Sequence, residues 1–181
     1  HILVVGTLPP PLGGASVLVK QLVEGVEASA EARLTVVNTN AIRGSGWKAP
    51  FRLLESLLAF RRGANAADVL TLHISGTRGT SPAFLIMGTA AVLAKRWTKK
   101  PLVIRTFANR YLSESQSGLA QKWTTAIIKK ADLFLVETQE SVRRAKRDAL
   151  APTEWFPNVR PLPLSPLADR SASSCRRFVY L

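Results

Sequence analysis

Residues 1–16 read HILVVGTLPPPLGGAS, and the order of residue types in that stretch decides the fold. Ile2 to Val5 is a short apolar run suited to a strand buried on both faces. Gly6 ends it, and Pro9, Pro10 and Pro11 exclude both helix and regular strand pairing from the next few residues. Leu18, Leu22, Val23 and Val26 then recur at helical spacing. The pair Gly13-Gly14 therefore falls between a buried strand and a helix start. Glycine there lets backbone N–H groups approach a ligand closely, and the helix N-terminus adds partial positive charge at the same point. The same pair also fits a turn that merely needs positive φ. Between the two, the arrangement favours an anion site, phosphate above all.

The opening pattern repeats along the chain. Strand-like runs lie at 2–5, 34–38, 69–73, 102–107, 133–137 and 154–156, with helical periodicity over 15–29, 51–62, 82–97, 114–130 and 139–149. Ser81 before Pro82 reads as an N-cap followed by proline at the first helical position, and Thr138 precedes an acidic first turn with Glu140. Alternating β and α with strands apolar throughout predicts a parallel sheet with helices on both faces. Right-handed crossovers make that a doubly wound, Rossmann-like α/β domain. This domain takes residues 1–158. Residues 159–175, rich in proline and serine, read as an interdomain linker. RRFVYL at 176–181 reads as the first strand of a second domain, so the expectation is the N-terminal half of a two-domain protein.

Composition narrows the function classes. With 181 residues, 46% hydrophobic and 20% charged, the chain is long and apolar enough to bury a core. No apolar run approaches the roughly 20 residues a spanning helix needs. A single cysteine, Cys175, excludes an internal disulfide framework. The balance of 25 Lys and Arg against 12 Asp and Glu, a net +13, implies attraction to polyanions. The first forty residues are nearly balanced, so the excess lies further on, in or just after the helical patterns. Some of it complements helix dipoles. No interleaving of aromatic and basic residues suited to stacking bases is present, and nucleic acid is not an expected partner.

Ligands of such sheets bind outside the carboxyl ends of the strands, which directs attention to Gly13-Gly14, 38–40, 73–79, 107–110 and 137–138. A dinucleotide site would need G-x-G-x-x-G in the first turn and an acid ending the second strand. Here the loop is longer and the strand ends VVNTN, so a dehydrogenase is disfavoured. A phosphate loop ending in Gly-Lys-Ser/Thr is also lacking. His73 ends its strand in DVLTLHISGTRGTS, where it can hydrogen-bond a substrate hydroxyl, take part in proton transfer, or simply close the sheet edge. Ser75 and Arg78 follow in the same loop, where Arg78 can bind a phosphate or simply lie in solvent, the second slightly favoured. Arg105 lies inside an apolar run, which calls for a structural partner such as Glu137. Asn109 and Arg110, just past that strand, are better placed for ligand contact. In FRLLESLLAFRR, Phe51, Leu54 and Leu58 share one side flanked by arginines, a pattern that fits either packing on the sheet or an anionic membrane surface.

With these residues in hand, the chain resembles the N-terminal domain of GT-B glycosyltransferases, in the large retaining group called group 1 or family 4. PPPLGGAS is similar to that family's Gly-Gly loop, DVLTLHIS to its D-V-x-H-x-H segment and PLVIRTF to its P-V-V-x-T-x-H strand. ADLFLVETQESV and WFPNVRP match two further segments in the same order, and RRFVYL resembles the first strand of the family's second domain. The resemblance implies sugar transfer from a nucleotide-sugar donor to a glycan or lipid-linked acceptor. The second domain would hold most of the donor, and this half the acceptor. It places Gly13 and Gly14 beside the donor phosphates, His73 at the catalytic centre, and Ser75, Arg78, Asn109 and Arg110 on the acceptor side. Phe107 stands where many members carry a histidine. Neither a metal nor another cofactor is implied. A cytoplasmic enzyme, peripheral at the inner membrane face, fits the charge. A sugar-nucleotide epimerase or another phosphate-handling Rossmann enzyme, and a stand-alone basic binding module, are the alternatives.

Overall fold

The computed structural model describes residues 1–10, 12–43, 47–74, 82–107 and 118–158. The expected linker at 159–175 and strand at 176–181 lie outside them, as does Ser81. The strands are β1 (Ile2–Gly6), β2 (Leu34–Asn38), β3 (Val69–Ile74), β4 (Leu102–Thr106), β5 (Leu133–Val136) and β6 (Thr153–Trp155). The helices are α1 (Gly14–Ser29), α2 (Ala49–Ala66), α3 (Pro82–Thr98), α4 (Leu119–Ile128) and α5 (Gln139–Arg147), with a 3₁₀ turn at Thr39–Arg43. All pairings are parallel and the strand order is β2-β1-β3-β4-β5-β6. This is the doubly wound, Rossmann-like α/β architecture expected from the alternation.

Topology distributes the helices unevenly. The chain steps one way from β1 to β2, then returns past β1 and continues in the opposite direction. Right-handed crossovers therefore put α1 on one face and α2 to α5 on the other. Side-chain alternation agrees. Leu3, Val5, Leu70, Leu72, Ile74, Leu102, Ile104, Phe134 and Val136 point into the core shared with α2 to α5. Val4, on the other face of β1, packs with Val19 and Val23 of α1 in a separate small cluster. Among the described residues, α1 packs chiefly on β1 and β2, with Ile2, Leu34 and Val36 against the same cluster. Beyond it, Thr71, Val103 and Leu135 are half-buried.

The long second helix shows tertiary packing overriding a local signal. The sequence pattern supports a helix over 51–62, yet α2 continues through Gly63 to Ala66. A Cβ at Gly63 would stand 2.6 Å from Leu3 Cδ1 and 3.2 Å from Thr35 Cγ2, so the missing side chain lets α2 lie close against β1 and β2. Ser56, Phe60, Gly63 and Ala64 are buried on that side, with Leu57 packed against the core. Phe51, Leu54 and Leu58 face out, at 64%, 56% and 45% exposure. Ordinary sheet packing thus uses the other side of α2. Among the described residues, no helix is long and apolar enough to cross a membrane.

Candidate functional site

The strand order reverses at β1, so the crevice between the carboxyl ends of β1 and β3 is the topological switch point. Gly6 ends β1 and His73 is the penultimate residue of β3. They nearly touch: a Cβ at Gly6 would lie 3.1 Å from His73 Cβ and 3.4 Å from Val19 Cγ1. Glycine at position 6 is what allows His73 and α1 to close on the end of β1.

The chain leaving Gly6 is fixed by side chains from the end of β2. Leu8 N–H donates to Asn38 Oδ1 at 3.1 Å, and Asn40 N–H donates to the same oxygen at 3.0 Å. The Asn40 amide donates to the carbonyls of Leu8 and Pro10, the latter at 3.0 Å. The hydroxyls of Thr7 and Thr39 are 3.1 Å apart and hydrogen-bonded. Residues 38–40, candidates for ligand contact in the sequence, thus hold the β1–α1 connection in shape.

That connection delivers Gly13 as the N-cap of α1. Gly13 is extended, φ −158°, and neither it nor Gly14 has positive φ. The turn reading of this pair is thereby removed. Gly13 N–H donates to Ser16 Oγ at 3.0 Å, and the Ser16 hydroxyl donates back to Gly13 O at 2.9 Å. A Cβ at Gly14 would meet nothing within 4 Å, and one at Gly13 only Ser16 Oγ at 3.7 Å. Among the described residues nothing crowds either glycine, and the first turn of α1 holds no acid. Such a terminus suits an approaching anion.

His73 is 8% exposed, and neither ring nitrogen has a hydrogen-bond partner among the described residues. Burial, with the Arg105 charge as a smaller contribution, lowers its pKa to about 3. The ring is therefore neutral at physiological pH, with one nitrogen able to donate and the other to accept. Phe107 stacks on it, centroids 5.8 Å apart and planes 19° from parallel. Phe107 is thus packed against the His73 side of the crevice.

Arg105 lies beside His73 across the β3–β4 register. Its guanidinium sits between two rings, 4.6 Å from the Phe107 centroid and 4.4 Å from that of Phe156. Nη2 donates to Asn158 Oδ1 at 3.1 Å, and the Asn158 amide donates to Glu137 Oε1. The expected pairing with Glu137 is therefore relayed through an amide. Burial lowers the Arg105 pKa, with the Glu137 charge opposing. His73, Arg105 and Phe156 share the wall of a groove of about 160 Å³ beside Leu22 and Val26 of α1.

Of the residues singled out in the sequence, the structure brings His73 to the crevice edge and Gly13 and Gly14 to the α1 terminus. Ser75, Arg78, Asn109 and Arg110 lie outside the described residues. No local pattern singles out Phe156 or Asn158 as the partners of Arg105, which lies some fifty residues earlier. Thr138 does cap α5, accepting from Ser141 N–H at 3.2 Å, as its position before Glu140 implied. Set against known proteins, the chain matches no protein-family model, and no curated protein sequence matches it.

Proposed function

We propose that the chain is the acceptor-side domain of a retaining glycosyltransferase, which moves a sugar from a nucleotide-sugar donor to a polysaccharide or lipid-linked acceptor. The observation that carries the reading is the open N-terminus of α1. Among the described residues a Cβ at Gly14 would meet nothing within 4 Å and one at Gly13 only Ser16 Oγ, beside the crevice at the β1–β3 switch point. A leaving diphosphate is dianionic or more, and preorganised N–H groups stabilise charge that develops in the transition state. His73 supplies a neutral donor or acceptor for a sugar hydroxyl rather than a base, because a pKa near 3 leaves little proton affinity at neutral pH. Ser75, Arg78, Asn109 and Arg110 are assigned to the acceptor. The enzyme would work at the cytoplasmic face of a membrane, held peripherally.

The test is sugar transfer by the full-length protein from a panel of nucleotide sugars, with product anomers assigned by NMR. Gly14→Trp should leave the fold unchanged, since a side chain there enters open space. It should nonetheless reduce kcat/KM at least about a hundredfold, equivalent to losing one preorganised anion contact. Transfer that is unchanged in Gly14→Trp and in His73→Ala would overturn the assignment.

A further inference from the structure

The outer side of the α2–α3–α4 layer carries an unusual mixture. Among the described residues, most of the large hydrophobic side chains left exposed belong to this side. They include Phe51, Leu54 and Leu58 on α2, Leu93 and Trp97 on α3, and Trp123 on α4. The layer is continuous, because the Trp123 indole N–H donates to Thr89 Oγ1 of α3 at 3.1 Å. Trp47, just before α2, packs edge-on against Phe51 with centroids 6.2 Å apart, and Lys48 lies over its ring.

Charge on the same layer is strongly biased to one sign. The helices α2, α3 and α4 contain Arg52, Arg61, Arg62, Lys95, Arg96 and Lys122 against a single acid, Glu55. At its lower edge, Arg96, Lys99 and Lys130 line a cleft of about 430 Å³. Its Lys95 is already tied to Asp132 at 2.7 Å, and its Lys100 to the carbonyls of Ala64 and Asn65. By contrast α1, on the opposite face, carries Lys20 against Glu24 and Glu27.

We infer that this layer docks on an anionic lipid bilayer. Separate aromatic and aliphatic side chains, interspersed with cations across three parallel helix surfaces, suit a fluid interface that imposes no shape. The apolar groups enter the headgroup boundary, the tryptophans sit at headgroup level, and the arginines and lysines meet lipid phosphates. The layer is parallel to the sheet, so docking leaves the carboxyl edge with Gly13, Gly14 and His73 facing sideways. The inference specifies the membrane side of the function proposed above. Its test contains no donor sugar, so its failure would leave the transfer reading standing.

Flotation of the purified chain with phosphatidylcholine vesicles, with and without phosphatidylglycerol, reads out docking directly. Binding should require phosphatidylglycerol and weaken as salt is raised. Arg96→Glu should lower the partition coefficient by tenfold or more, since each cation near an anionic surface contributes about fivefold. Lys20→Glu makes the same charge change on the opposite face and should leave partitioning within about twofold. Leu93→Ser with Trp97→Ser should also release the chain, and lipids brominated in the upper acyl region should quench tryptophan emission of the parent chain. All these positions are exposed, so thermal unfolding should confirm that the variants stay folded. Absence of binding to phosphatidylglycerol vesicles overturns the inference. Equal losses from Lys20→Glu and Arg96→Glu do so too, as that marks net charge alone. So does an Arg96-dependent affinity for an oligonucleotide with none for vesicles.

Discussion

At the scale of single residues, the crevice is built from a contrast between two kinds of glycine. Gly6 is enclosed by His73 and Val19, whereas a Cβ at Gly14 would meet no described residue within 4 Å. Gly6→Ala should destabilise by about 1–3 kcal/mol, the usual range for overpacking a tight contact. Gly14→Ala should stay within about 0.5 kcal/mol of the parent. Urea unfolding of the two variants checks this, and similar losses would refute the contrast. His73 adds a pH signature. Folding lowers its pKa from 6.5 to about 3, so between those values the unfolded chain binds a proton that the folded chain does not. Stability contributed by neutral His73 is therefore complete above pH 6.5 and is lost as pH falls toward 3. The slope approaches 1.4 kcal/mol per pH unit at most. Comparing the parent with His73→Leu by urea unfolding at several pH values isolates this residue. The stability difference should shift in favour of the variant as pH falls through that window, and a constant difference would refute the assignment.

At the scale of elements, caps and loop anchors decide how firmly each helix start is set. Thr138 satisfies the Ser141 N–H at the head of α5, so Thr138→Ala should cost about 1 kcal/mol in chemical unfolding. Asn38 does more, because one oxygen holds the N–H groups of both Leu8 and Asn40. Asn38→Ala should weaken hydrogen-exchange protection at Leu8 and Asn40 while leaving that of α3 and α4 unchanged. Caps of this kind are legible in sequence. Thr138 before Gln-Glu-Ser announces a helix, and glycine after a β-branched run announces a strand end. Long-range anchoring is not. Asn38-Thr39-Asn40 resembles any strand end, because Leu8 and Pro10, which the two asparagines anchor, lie some thirty residues earlier. The same limit explains Gly63. Within its own segment it looks like a helix breaker, and only contact with Leu3 of β1 shows why α2 runs through it.

At the scale of the whole molecule, an all-parallel sheet covered by helices follows from alternation, since every β–α–β step in a parallel sheet has one preferred hand. How the two faces would differ was not legible. That depends on where the strand order reverses, and no residue encodes the reversal locally. Its consequence is that α2 to α5 seal one face of the sheet while α1 covers only part of the other. Neighbouring residues of β4 offer a direct comparison. Ile104 is fully buried under the four-helix layer, and Val103, one residue earlier, is half-buried on the α1 side. Threonine keeps strand propensity at both positions, so the substitution reports the surroundings of its hydroxyl rather than the backbone. On the sealed face the hydroxyl loses water and the side chain loses a methylene, and Ile104→Thr should cost about 2–4 kcal/mol. On the α1 face water remains within reach, and Val103→Thr should cost less than about 1 kcal/mol. Equal costs in urea unfolding would mean that the α1 face is sealed as tightly as the other. The asymmetry of the sheet, and with it the picture of α1 as a helix bordering an open groove, would then be wrong.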